Sequence, residues 1–85
     1  MTIDIKREGT ALTAALGGRL DTTTAPQLET ALKEALPGVT ELTVDMAELD
    51  YLSSAGLRVI LAAQKQMNRQ GKMTVRHVNG TIMEV

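Results

Sequence analysis

Along this 85-residue chain, short segments with apolar residues at every second position alternate with longer segments in which apolar residues recur at every third or fourth position. The first pattern is typical of β-strands and the second of amphipathic helices. Two strand patterns come first, at residues 3–5 and 12–16, and the Glu8-Gly9 pair between them predicts a hairpin. Because strands and helices alternate after this hairpin, we expect an α/β fold with a largely parallel sheet and right-handed crossovers.

The first helix is predicted between a start signal and a stop signal. The glycine pair at 17–18 is expected to close the second strand, and Thr24 then stands where a helix cap is expected. Gln27 can reach back to this cap, and Pro26 is tolerated in the first turn because its missing N–H has no helical partner. Apolar residues continue at helical spacing as far as the Pro-Gly pair at 37–38, which ends the helix.

The second half of the chain predicts a strand, a loop and a longer helix. The strand covers residues 42–46 and the loop residues 47–52. The helix runs from the serines at 53–54 to about Gln70, and Gly71 fits the position after a helix where a left-handed backbone favours glycine. One face of this helix is predicted to pack on the sheet through Leu57, Ile60, Leu61, Gln64 and Met67.

The last segments complete the expected topology. Residues 73–77 or 73–78 predict a fourth strand, and Asn79-Gly80-Thr81 has the composition of a cap for a third helix, four residues before the chain stops. The expected fold is therefore α/β, with a small mixed sheet of four strands, the element order β-β-α-β-α-β-α, and the helices packed largely on one face.

Composition narrows the function. The net charge is −1 with both signs interspersed, and Tyr51 is the one aromatic residue, so the chain lacks the basic stripe and the stacking residues of a nucleic-acid-binding protein. The absence of cysteine and the single histidine argue against thiol chemistry and against a metal site. No apolar run approaches the roughly 20 residues of a membrane span, and the amino end lacks a signal-peptide profile. We expect a cytoplasmic module without cofactor, metal or membrane insertion.

The most informative segment begins at Ser53-Ser54-Ala55-Gly56, where the second helix is predicted to start. The first N–H groups of a helix lack helical partners and lie at the positive end of its dipole, so a serine there can cap the helix or carry a phosphate. The small residues that follow leave the backbone accessible to a partner. Arg58, one turn later, can contact a partner, pair with a phosphate or simply face solvent.

Signatures of catalysis are missing from the same segment. A serine hydrolase pattern needs a glycine two residues before the serine, and Leu52 occupies that position relative to Ser54. His77 is the one histidine that could act as a base, and no motif places it near the serines. The chain also has no phosphate-binding loop that ends in Lys-Ser or Lys-Thr. We therefore expect a binding protein and not an enzyme.

Two motifs carry a family resemblance. They are Gly18-Arg19-Leu20-Asp21 after the hairpin and Tyr51-Leu52-Ser53-Ser54-Ala55-Gly56-Leu57 at the second helix. Together with the order of elements, they closely resemble the STAS domain, and within it the bacterial anti-sigma factor antagonists. The resemblance implies a single STAS-like domain over residues 1–85, truncated at its C-terminus because the family continues into a further strand and helix.

The resemblance also implies a switch. In that family, a partner that is both an anti-sigma factor and a serine kinase phosphorylates a serine at the start of the second helix, and a phosphatase removes the phosphate. On this chain the phosphoacceptor falls on Ser54. Ser53 stands where the family has aspartate, and Ala55 stands where it has a second hydroxyl residue. The unphosphorylated form is expected to bind the anti-sigma factor and release the sigma factor, and the phosphorylated form is not.

The expected partner-binding surface combines the serine segment with the loop before the first helix. It consists of Asp21, Thr22, Ser53, Ser54, Ala55, Gly56 and Arg58. Three alternatives remain open at this point. The chain could be a constitutive docking subunit of a phospholipid-transport system, a nucleotide-sensing STAS domain, or a structural fragment that needs its missing C-terminal part.

Overall fold

Four strands and two helices make up the part of the chain that the structure describes. The computed structural model describes residues 1–77. The predicted third helix at 79–85 lies outside these residues. The elements are β1 (Thr2–Glu8), β2 (Ala11–Leu20), α1 (Ala25–Ala35), β3 (Glu41–Leu52), α2 (Ser54–Gln70) and β4 (Lys72–Arg76). The sheet order is β1-β2-β3-β4, which confirms the predicted mixed α/β fold.

The sheet is antiparallel on one side and parallel on the other. β1 and β2 form the predicted hairpin, in which Ile3 pairs with Leu16 and Ile5 with Ala14. β3 lies parallel to β2, and β4 lies parallel to β3. Each parallel pair needs a crossover, and α1 and α2 supply these two crossovers. The helices consequently cover the face of the sheet on which the apolar residues alternate.

The core between the sheet and the helices is aliphatic. Burying a leucine side chain contributes about 1.5–3 kcal/mol, so a core without aromatic residues can hold a small domain together. Within residues 1–77, the core of fully buried residues contains no charged or polar side chain. Its members from the sheet include Leu12, Leu16, Leu42, Val44 and Met46, and its members from the helices include Leu28, Leu32, Ile60, Ala63 and Met67.

Two strands are longer than their apolar pattern predicts. β2 continues through the glycine pair at 17–18 to Leu20, and β3 takes in residues 47–52, which the sequence predicts as a loop. The register between these strands shifts twice, because β3 carries one extra residue opposite Leu16 and another between Leu49 and Tyr51. Such bulges change the spacing of buried residues in β3 from two to three. A period-two pattern therefore ends at Met46 although the strand does not.

The predicted capping box of α1 is wrong. Thr24 stands at the cap position but has a helical backbone and no side-chain cap bond to the helix. Its hydroxyl instead donates to the carbonyl of Arg19 and accepts the N–H of Asp21, at 2.8 Å in both cases. The prediction for Pro26 is confirmed, since it lies in the first helical turn.

The buried face of α2 shares Ile60 and Met67 with the predicted face, whereas Leu57 and Gln64 are half-buried. Gly56, Ile60, Ala63 and Met67 form the buried stripe, whereas Leu61, which we predicted to pack on the sheet, is 52% exposed. The two positions 60 and 61 are about 100° apart on a helix, so both cannot face the same narrow core.

Gly71 ends α2 for a different reason than predicted. Its backbone is extended, with φ at 174°, and not left-handed. A Cβ at this position would overlap the carbonyl group of Thr40, which accepts the N–H of Lys72 at 2.9 Å. Glycine is therefore required by the close approach of the turn before β3.

Candidate functional site

The ends of β2 and β3 bring the two motifs of the sequence together. Leu20 pairs with Leu52 in the parallel register, and the N–H of Ser53 donates to the carbonyl of Leu20 at 2.9 Å. The chain leaves β2 into the loop that starts at Asp21, and it leaves β3 directly into α2. The loop before α1 and the first turn of α2 are therefore neighbours at the same end of the sheet, which is where ligands bind in parallel sheets.

Ser53 is the cap of α2. It has an extended backbone, its Oγ accepts the N–H of Gly56 at 3.3 Å, and its carbonyl accepts the N–H of Leu57 at 2.9 Å. The capping role considered for the two serines thus belongs to Ser53. Serine and aspartate are about equally good caps, so the local helix start does not need the aspartate that the family resemblance expects here.

Ser54 is the first residue of α2, and its side chain is exposed. Within residues 1–77 its hydroxyl has no hydrogen-bond partner. The first turn of the helix contains no acidic residue. A negative group on Ser54 would therefore meet the positive end of the helix dipole without a like charge in the same turn.

The residues after the serines divide between the core and solvent. Gly56 is buried, and a Cβ at this position would come within 2.5 Å of the Cγ of Leu20 and 3.0 Å of Leu52. Gly56 therefore belongs to the core and not to the exposed docking surface that we predicted for it. Ala55 is half-buried, and Arg58 is exposed. Arg58 makes no salt bridge with an acidic residue of the described segment.

Asp21 organises the loop beside the serines. Its Oδ1 accepts the hydroxyl of Thr23 at 2.7 Å, the N–H of Thr23 at 3.0 Å and the N–H of Thr24 at 3.2 Å. These hydrogen bonds, above all that of the Thr23 hydroxyl, hold the pKa of Asp21 below its usual value. The carboxylate is thus charged and held in one position, while Thr22 next to it is exposed.

A stacked pair next to this loop was not predicted from the sequence. Arg19 and Tyr51 are partners across β2 and β3, and the guanidinium carbon lies 4.3 Å from the centre of the tyrosine ring. The Nε of Arg19 also lies 3.7 Å from Oδ2 of Asp21. The signal that could have pointed to the pair is the single aromatic residue of the chain, which stands two positions before the cap serine.

His77 lies in a separate cluster at the end of β4. Its Nδ1 is 2.8 Å from Oδ1 of Asp45, and the same oxygen accepts the N–H of Ala47. The hydrogen bond to His77, followed by that of Ala47, lowers the pKa of Asp45. Asp45 therefore links the end of β4 to the first bulge of β3, and His77 has no hydrogen bond to the serine segment.

Residues 1–77 also lack two features that would point to other functions. No group of three or more His, Cys, Asp or Glu side chains is arranged to hold a metal ion. None of the described helices is both long enough and apolar enough to cross a membrane.

Comparison with known proteins points in one direction. A family model described as "Mlab, STAS domain" matches residues 2–85. BtrV of Bordetella bronchiseptica, named as an anti-sigma factor antagonist, is 37% identical over 76 residues, which cover 87% of this chain and 66% of BtrV. RsfB of Mycobacterium tuberculosis, an anti-sigma-F factor antagonist, is 26% identical over 76 residues, which cover 88% of this chain and 62% of RsfB. The chain thus spans slightly less than two thirds of the length of these relatives.

Among solved structures, the unphosphorylated form of the anti-sigma factor antagonist SpoIIAA superposes with a TM-score of 0.83. The match covers 98% of this chain and 79% of SpoIIAA, at 16% sequence identity. At that identity the likeness shows the fold and says nothing about individual site residues.

Proposed function

The chain belongs to the STAS domain family, and from this premise we propose that it is an anti-sigma factor antagonist that binds an anti-sigma factor and thereby releases a sigma factor. One observation carries the proposal. Ser54, an exposed serine with a free hydroxyl, begins α2 beside the loop held by Asp21. This arrangement offers a modifiable group next to a fixed charge on one accessible surface, as the proposed switch requires.

In the proposed switch, the anti-sigma factor is also a serine kinase and transfers the γ-phosphoryl group of ATP to Oγ of Ser54. The bond between the γ-phosphorus and the β,γ-bridging oxygen breaks, ADP leaves, and the serine proton passes to solvent. The phosphate adds about −1.5 to −2 charges at neutral pH. At the start of α2 this charge is favourable for the helix, so the fold survives the modification. The partner, however, meets new charge and bulk at the centre of the interface, and like charges placed opposite each other cost several kcal/mol.

The docking surface joins the start of α2 to the loop held by Asp21. Asp21, Thr22, Ser53, Ser54, Ala55 and Arg58 form the docking surface. Gly56 acts indirectly, because its lack of a side chain lets α2 approach Leu20 and Leu52. A phosphatase removes the phosphate and restores binding. The chain acts in the cytoplasm as a binding module, and the kinase activity resides in the partner.

The capping role of Ser53 favours a second candidate function, that of a docking module that binds its partner without phosphorylation. The hydroxyl of Ser53 is engaged in the cap, and the position directly before Ser54 holds no carboxylate that could orient its hydroxyl for transfer. In this case the same surface binds constitutively and Ser54 is only one of its contact residues.

The test is phosphorylation followed by binding. The purified chain is incubated with each purified anti-sigma factor kinase of its source organism and ATP, and then analysed by intact mass and peptide mapping. We expect a gain of one phosphoryl group on Ser54, absent in Ser54→Ala, and loss of binding in Ser54→Asp. Ser53→Ala serves as the control for the position of the phosphate, since it alters the neighbouring serine and leaves the acceptor in place.

The outcomes separate the two candidates. Binding without phosphorylation by any active kinase favours the constitutive module. A folded chain that neither binds nor is modified overturns the proposal.

A further inference from the structure

The outer face of α2 carries a stripe of residues that the core does not use. Ser54, Arg58, Leu61 and Lys65 follow one another at spacings of four, three and four residues, so they share one side of the helix. This side lies opposite the buried stripe that includes Ile60. We call these residues the outer stripe of α2.

An apolar side chain stands at the centre of the outer stripe. Leu61 is 52% exposed, the highest value among the large apolar residues of the described segment. It borders a shallow depression of about 350 Å³, which is lined by Arg58, Leu61, Ala62, Gln64 and Lys65. A single exposed leucine needs no explanation, but this one lies between two cations and next to a concave surface.

The charged residues of the outer stripe, Arg58 and Lys65, are both positive. α2 contains no Asp or Glu, although the chain as a whole has a net charge of −1. Arg58 and Lys65 are both exposed, and neither forms a salt bridge with residues 1–77. Unpaired cations on both sides of an apolar side chain are complementary to an acidic surface that presents an apolar contact of its own.

We propose that the outer stripe of α2 extends the docking surface from Ser54 to Lys65 and binds an acidic surface of the anti-sigma factor, with Leu61 as its apolar anchor. The inference rests on the proposed function and adds the chemistry of the partner. It also accounts for the direction of the switch, because a phosphate on Ser54 places negative charge at the head of a positive stripe. That charge repels an acidic partner and competes for Arg58, four residues along the helix.

The experiment measures the affinity of the unphosphorylated chain for the purified anti-sigma factor kinase that it binds. The variants are Arg58→Glu, Lys65→Glu, the double variant and Leu61→Ser. Lys6→Glu on the exposed side of β1 is the matched charge control, and Val75→Ser, at 39% exposure, is the matched apolar control. Melting temperatures identify any unfolded variant, and Arg58→Gln with Lys65→Gln replaces a charge reversal that does not fold.

We expect each charge reversal and Leu61→Ser to weaken binding about tenfold, and the double variant about a hundredfold, whereas the two controls stay within about twofold of wild type. Added salt weakens wild-type binding because it screens the charges of Arg58 and Lys65. It has less effect on the double variant, which lacks these two cations. Stripe variants that bind within about twofold of wild type, while Ser54→Asp still prevents binding, overturn this inference and leave the proposed function intact. Tighter binding by the double variant overturns it as well, because the partner surface is then basic. If no kinase binds the wild-type chain, the proposed function and this inference fail together.

Discussion

The two turns that meet at the end of the sheet are built in opposite ways. In the turn after β2, the carboxylate of Asp21 accepts hydrogen bonds from Thr23 and Thr24, and its carbonyl accepts the N–H groups of Thr24 and Ala25. In the turn after β3, one side-chain bond from Ser53 caps the helix, and Ser54 is left free. The carboxylate of Asp21 is thus surrounded by donors, whereas the hydroxyl of Ser54, the proposed phosphoacceptor, is exposed and has no partner within residues 1–77.

The largest effect that we predict is a loss of stability at Gly56, where α2 closely approaches the ends of β2 and β3. In Gly56→Val the new side chain meets Leu20 and Leu52, which now touch the glycine. Overpacking of this kind costs about 3 kcal/mol, which lowers the melting temperature of a domain of this size by roughly 12–24 °C. Thermal unfolding followed by circular dichroism measures the change. An unchanged melting temperature contradicts the packing of α2 on the ends of β2 and β3.

The adjacent serines provide the sharpest test of the contrast. Ser53→Ala removes the cap and is expected to cost about 1 kcal/mol of unfolding free energy. Ser54→Ala removes a side chain without a partner and is expected to change stability by less than about 0.5 kcal/mol. Urea unfolding of both variants gives the comparison directly. Equal effects of the two substitutions count against the division of roles between cap and acceptor.

A smaller effect is expected from the stacked pair beside the Asp21 turn. The guanidinium of Arg19 lies over the ring of Tyr51 at an exposed site, where cation–π contacts contribute about 0.5–1 kcal/mol. The double-mutant cycle of Arg19→Ala and Tyr51→Ala isolates this contribution from the loss of other contacts. A coupling energy of zero shows that the contact between the two side chains does not contribute to stability.

The smallest effect is the dependence of stability on acid pH. The folded-state pKa values of Asp21 and Asp45 lie below the ordinary value of 3.8. The unfolded chain therefore binds protons first, so the stabilisation is present above about pH 4 and is lost as the pH falls through the folded-state values. Both carboxylates lie half-buried at the surface, with 29% and 24% of the side chain exposed, so screening by solvent keeps the effect small. Melting temperatures measured from about pH 5 to about pH 3 should fall less in Asp21→Asn and in Asp45→Asn than in wild type.

Local patterns were sufficient for the order of the elements and for the helix start at the serines. The alternation in residues 12–16 and 42–46 and the bounds of α2 were predicted because periodicity and small residues near a cap act over a few neighbouring positions. The capping box at Thr24 failed because its hydroxyl bonds to Arg19, a residue that precedes the helix and belongs to the end of β2.

Among the site residues, the sequence motifs pointed to Ser53, Ser54 and Asp21. The structure showed that their two turns are adjacent, through the hydrogen bond between Ser53 and Leu20. Arg19 and Tyr51 were missed because their contact crosses two strands that are 32 positions apart in the chain. The exposure of Leu61 was missed because a broad apolar face on a helix does not indicate how much of that face the sheet will cover.

Apolar periodicity, helix-start residues and the two motifs were enough to predict the fold class, the order of the elements and the segment at which α2 begins. The bulges of β3, the buried position of Gly56, the close approach at Gly71 and the outer stripe of α2 came from the packed structure. These features arise from contacts between residues distant in sequence, where the available space and the neighbouring side chains decide which face of each residue is buried.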